Sequence, residues 1–117
     1  MRYLLLIYFD ESWGKLGLAE RQQIYAEQMQ VAQELTANGQ YQGGAPLHPV
    51  TTATSVRVRD GKRLLTDGPF AETREQLGGY MLIDVPDLDA AIAVAARSPV
   101  ARVGTVEVRP VREGPPR

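Results

Sequence analysis

The sequence has no cysteine among its 117 residues. Disulfides and thiolate chemistry are therefore excluded, and cysteine usage leaves the compartment open. Histidine occurs once, at position 48. One imidazole and no thiol cannot build the usual nitrogen/sulfur metal centre, and no carboxylates stand at calcium-loop spacing. No metal is expected. A Gly-rich phosphate loop is also missing, because Gly78-Gly79 lacks the required pattern and leads into a strand. No cofactor is expected either. Charge of one sign is not in excess: 13 basic against 14 acidic residues give a net charge of −1. Without a basic stripe, neither nucleic acid nor an anionic membrane is an expected partner. The apolar run from Tyr3 to Phe9 is too short for a membrane span or a secretory leader, and acidic Asp10 and Glu11 follow it. The cytoplasm is the expected location.

Apolar content of 44% and charged content of 23% suit one globular domain. Residues 1–112 are assigned to that domain and 113–117, a Pro/Gly-containing segment, to a flexible tail. Tyr3 to Phe9 reads as a strand buried on both faces. A loop or short turn with Trp13 follows; the indole either caps the sheet edge or enters an interface. Ala19 to Asn38 is the clearest helix, with a stripe of Ile24, Val31 and Leu35 widened by Tyr25 and Ala32. Asn38-Gly39 stops it. Gln40 to Ala45 is a weak strand that Gly43 and Gly44 make irregular, suggesting a bulge.

Thr54 to Val58 and Lys62 to Thr66 flank Asp60-Gly61, a strong hairpin signal. A two-residue turn sets Val58 opposite Arg63, and one more loop residue sets it opposite Leu64. The second register is the one expected. Glu72 to Gln76 is read as one helical turn. Gly79 to Val85 is a strand with Tyr80 and Leu82 on one face and Met81, Ile83 and Val85 on the other. Asp87 caps a second helix with Leu88, Ile92 and Ala95 facing inward, and Ser98-Pro99 ends it. Thr105 to Arg109 alternates as a final strand.

The order β-α-β, hairpin, β-α-β predicts an α+β fold, ferredoxin-like, with an antiparallel sheet. Two helices cover one face of such a sheet. The first strand and Gly79–Val85 offer apolar side chains to both faces, so the second face needs a cover. A second copy of the sheet about a two-fold axis is the economical one, giving a homodimer.

Thr66-Asp67-Gly68-Pro69-Phe70-Ala71-Glu72-Thr73 is the most distinctive stretch. Gly68 reaches backbone angles closed to other residues, and Pro69 fixes its own φ and restricts Gly68. Asp67 is placed to accept from backbone N–H groups in an Asx-turn. This stiff corner directs Phe70, one of two phenylalanines, toward a buried anchor position. With Arg74-Glu75-Gln76-Leu77-Gly78-Gly79-Tyr80 after it, the stretch resembles the signature of DGPF-domain proteins, a branch of the YCII-related family. Met1 to Asp10, Thr52 to Arg57 and Val106 to Pro110 resemble that family's strands, so the likeness spans nearly the whole chain. The resemblance implies a ferredoxin-like domain that dimerises into an α+β barrel. It also implies a link, in some members, to extracytoplasmic-function sigma factors.

Candidate site residues are few. His48 is the one side chain suited to proton transfer near neutrality, and with Asp67 it forms a possible acid–base pair. The alternative is an ordinary surface-loop histidine between Pro46 and Pro49. DGPF members commonly carry another polar residue there, so the resemblance does not extend to His48. Asp67 matches the motif, and Phe70 and Tyr80 are candidate ligand contacts. Arg97 and Arg102 bracket Ser98-Pro99 and could bind an anion. Three functions compete: a dimeric binder of an unknown small molecule, a small cofactor-independent isomerase, lyase or monooxygenase, and a partner protein for a sigma factor.

Overall fold

The computed structural model describes residues 1–115. Four strands form one antiparallel sheet: β1 (Arg2–Phe9), β2 (Tyr41–Pro46), β5 (Gln76–Asp84) and β6 (Gly104–Pro110). Their order is β2-β5-β1-β6, the split βαβ arrangement expected. The other two strands, β3 (Thr54–Arg59) and β4 (Lys62–Asp67), form a separate hairpin. Two main helices, α2 (Leu18–Ala37) and α3 (Leu88–Arg97), lie on one face of the sheet, with a short α1 (Glu11–Lys15) before them.

Local chemistry explains the element ends. Beyond Asn38, the Gln40 N–H donates to Leu35 O and the Gly39 N–H to Thr36 O, a Schellman closure with Gly39 at φ 71°. Asp87 caps α3 by accepting from the Ala90 N–H at 2.9 Å. The expected bulge in β2 is present, with the register slipping between Tyr41 and Gly43. Trp13 lies in the five-residue α1, within the segment expected to be a loop or short turn. Asp10 caps that helix by accepting from the Ser12 N–H and hydroxyl.

The core lies between helices and sheet. Tyr3, Leu5, Met81, Ile83 and Val85 meet Val31 and Leu35 of α2 and Ala91 and Val94 of α3. The α3 expectation needs correction. Its buried face is Ala91, Val94 and Ala95, while Leu88 and Ile92 are about half exposed. Alanines let the helix axis approach the sheet closely, so the small side chains face inward. Glu72 to Gln76 is not helical. Gln76 already begins β5 opposite Phe9, which takes the chain into extended geometry.

Among the described residues no helix covers the opposite face of the sheet. Alternation puts Leu4, Leu6 and Tyr8 there, with Leu82 opposite Leu4 and Tyr80 opposite Leu6. The Leu side chains are half-buried and Tyr80 is exposed. In the hairpin, Val58 faces Arg63, so the two-residue register holds and the expected one does not. Asp60 and Gly61 both adopt positive φ, 52° and 72°, the type I′ geometry that matches strand twist without an added residue. Register then places Val56, Val58 and Leu65 on one face, and all three are exposed. A radius of gyration of 16.2 Å reflects this projecting ribbon; a compact chain of this length is expected near 13 Å. Glu113, assigned to the tail from sequence, accepts from Arg2 at 2.9 Å. Pro116 and Arg117 lie outside the described residues.

Candidate functional site

A groove runs along the seam between α2 and the sheet. It has two chambers that share Phe9, Tyr25 and Gly78. The first has a volume of about 350 Å³. Ile7 and Met81 of the sheet face Met29 and Ala32 of α2, with Tyr41 and Val100 among the remaining walls. Among the described residues, no Asp, Glu, Lys, Arg or His lines it.

The cavity exists because α2 does not fill its own inner face. Helical spacing from Ile24 to Val31 and Leu35 asks for a bulky apolar residue at position 28. Gln28 stands there instead. It lines the chamber, and among the described residues neither its Nε2 nor its Oε1 finds a hydrogen-bond partner although both are shut off from water. Such an orphaned carboxamide costs about 1–3 kcal/mol. Sequence reasoning missed Gln28, yet its signal was present: one polar residue inside the apolar stripe.

The second chamber, about 370 Å³, is more polar. His48, Asp10, Glu11 and Gln76 line it together with Trp13, Leu47 and Leu77. Trp13 stacks on Phe9 with ring centroids 4.4 Å apart and meets Tyr25 edge-on at 5.6 Å. Phe9 and Tyr25 line both chambers, and Trp13 packs on them from the second. The hydrogen bonds from Ser12 hold the Asp10 carboxyl below its ordinary value, so it remains an anion beside His48's chamber.

The other sequence candidates lie elsewhere. Asp67 ends β4 opposite Thr54 and lines neither chamber. Among the described residues no hydrogen bond joins it to His48, and no Asx-turn forms on its carboxylate. The corner is pinned differently: the Gly68 N–H donates to Ala53 O at 2.6 Å, and Ser55 Oγ donates to Gly68 O at 2.9 Å. Gly68 does adopt positive φ, 92°. Phe70 is 77% exposed, so within this chain it is not the buried anchor expected. The chain folds no apolar surface over it. Tyr80 borders the first chamber, while its position in β5 directs its ring to the open sheet face. Arg102 and Arg97 do not present a joint anion site. Arg102 donates to Glu27 at 2.8 Å and Arg97 to Glu34 at 2.7 Å, so α2 carboxylates already engage both. The Arg102 hydrogen bond holds the Glu27 carboxyl below its ordinary value. Among the described residues, no cluster of three metal-ligating side chains occurs, and no helix is long and apolar enough to cross a membrane.

An antiparallel sheet, a helical layer on one face and a ligand-sized groove between them define a small α+β domain of the ferredoxin-like class. The chain belongs to the YCII-related domain family, whose model matches residues 1–114. It is 37% identical over 117 residues to an uncharacterized protein of Rhizobium meliloti (strain 1021), covering 95% of this chain and 92% of that one. Among solved structures it is similar to 5-chloro-2-hydroxyhydroquinone dehydrochlorinase (TftG) of Burkholderia phenoliruptrix AC1100, solved with 2,5-dihydroxybenzoquinone. That match has a TM-score of 0.59 at 14% identity and covers 97% of this chain and 96% of that one. At such identity the likeness is one of fold.

Proposed function

We propose that this protein is a homodimer of the DGPF branch that binds a small organic molecule in the groove between α2 and the sheet. One observation carries the reading: a chamber of about 350 Å³ walled by apolar and aromatic side chains, with one buried polar group. This is the composition of small-molecule sites rather than of a packing flaw. The homodimer is supported by two apolar surfaces that the chain leaves open, the sheet face around Leu4 and Leu82 and the hairpin face of Val56, Val58 and Leu65. A two-stranded ribbon is marginal by itself, so its exposed apolar face calls for a partner. Placement in the cytoplasm follows the sequence reading. A sigma-factor link rests on the Asp-Gly-Pro-Phe string alone and forms no part of the proposal.

Native mass spectrometry of protein from its own host tests both halves. The expected species has twice the 12.9 kDa chain mass and carries a small adduct. A bare single chain, with no thermal stabilisation across a fragment library, refutes the reading.

Catalysis is the second reading. His48 lines the chamber next to the apolar one, and Asp10 and Glu11 line it too. TftG is an enzyme acting on a chlorinated aromatic, and it was solved with a small ring compound. In this reading His48 is the proton carrier, paired with Asp67 if the DGPF corner moves or is supplied by the second copy. Phe70, so exposed in one chain, would then reach the ligand with it. Binding without turnover that survives His48→Ala would leave the binder and remove the enzyme.

A further inference from the structure

We propose that Gln28 is the residue that selects the ligand, and that the ligand is an uncharged flat ring with adjacent hydrogen-bond donor and acceptor, as in a lactam, cyclic imide or pyridone. This inference rests on the small-molecule reading of the groove. Its basis is a mismatch within one cavity. Among the described residues, every other side chain lining the first chamber is apolar or aromatic, and none is Asp, Glu, Lys, Arg or His. Tyr25, Tyr41 and Tyr80 carry phenols, but among the described lining residues Gln28 alone brings a buried carboxamide with no partner on either atom. Among the described residues only one other buried side-chain atom is left in that condition, Nε of Arg21, two helical turns earlier on the same face of α2.

A primary carboxamide offers one acceptor and a donor side by side. Its complement is a group with the same two functions in reverse, which is the pairing a glutamine makes with adenine's edge. Because the side chain already lines the chamber, turning the terminal amide toward the cavity presents both atoms to a ligand. The remaining walls then select for flatness and apolar faces, with Phe9 and Tyr25 among them. A carboxylate or ammonium ligand would enter with no counter-charge from the lining, so charged molecules are disfavoured. In the empty protein the carboxamide is left unsatisfied, so an apolar residue at this position would stabilise the chain at the expense of the binding group.

The test compares 2-quinolone with naphthalene, similar in shape but differing in the lactam edge. Binding is followed by emission of Trp13, the only tryptophan, and by melting temperature. The expected result is a preference of at least about tenfold for 2-quinolone in the natural chain, since an unpaired buried polar group penalises the ligand that cannot satisfy it. Gln28→Met, nearly isosteric, should lose the preference, bind naphthalene at least as well, and melt higher without ligand. Gln28→Leu should repeat that pattern. If the natural chain binds both compounds equally, or Gln28→Met keeps the preference, the role of Gln28 is overturned while the groove stands. If the natural chain binds neither, the groove reading falls and the selection goes with it.

Discussion

Replacing Val56, Val58 and Leu65 together by threonine should dissolve the proposed dimer while leaving the protomer folded. The three residues share one face of the hairpin and are 58%, 61% and 60% exposed. Full burial of such a side chain is worth about 1.5–3 kcal/mol, so six-tenths of it leaves about 1–2 kcal/mol per residue available to a partner. A two-fold axis counts each residue twice. Threonine keeps the β-branching of the two valines and suits a strand at all three positions, but puts a hydroxyl where an apolar group would be buried. At about 1 kcal/mol for each of six sites, less some local adjustment, the dimer should lose about 4–6 kcal/mol, or roughly 10³–10⁴-fold in Kd. Sedimentation velocity over a nanomolar-to-micromolar series measures the Kd, and far-UV circular dichroism checks the fold. A solvated ribbon predicts something else: substitutions there stay within about 0.5 kcal/mol of neutral. The reasoning is refuted if the triple variant sediments at twice 12.9 kDa with unchanged Kd, or if the natural chain is already single at micromolar concentration.

Two further outcomes follow from the groove and its supports. Gly78 lies against the Phe9 ring, and an added Cβ would overlap Cδ2 and Cε2 of that ring. Gly78→Ala should therefore displace Phe9 from Trp13, shift Trp13 emission, and cost about 1–3 kcal/mol in urea unfolding; unchanged emission and stability would show that the wall adjusts freely. The Glu27 carboxyl is held low by Arg102. A lowered native value means stability that is present above the unfolded carboxylate range and lost as pH falls through the native value. Glu27→Gln should accordingly have a lower urea midpoint than the natural chain near neutrality, and the two should converge once the pH falls below the lowered native value. A gap that persists in acid would assign the effect to packing.

Periodicity made the four-stranded sheet, α2 and the cap of α3 legible, because each is dictated by short-range rules. Alternation in Gly79–Val85 is visible directly in the chain, and Asp87 can satisfy the Ala90 N–H whatever surrounds it. The missed features depend on distances between elements. Which face of α3 turns inward depends on how near the helix lies to the sheet, and the alanines permit an approach that a hydropathy stripe does not encode. The hairpin register turns on backbone angles at Asp60, a residue that favours the left-handed region without requiring it. Pairing of Arg97 and Arg102 with Glu34 and Glu27 joins positions far apart in sequence.

The site was the least legible part, for a related reason. Asp67 and Phe70 attract notice because Asp-Gly-Pro-Phe is an unusual string, yet the chain leaves Phe70 exposed and brings neither residue to the groove. A rare string marks a constrained backbone, and the corner at Gly68 is one. Gln28 attracts no notice in a helix rich in glutamine, because only its phase relative to Ile24 and Val31 sets it apart from Gln22, Gln30 and Gln33. Those three are exposed, and hydration satisfies them. The same side chain one step around the helix is shut off from water and unsatisfied. A polar residue that breaks an inward stripe carries a desolvation cost that a conspicuous loop motif does not, and on that ground the proposed site is placed at Gln28 and not at the Asp-Gly-Pro-Phe corner.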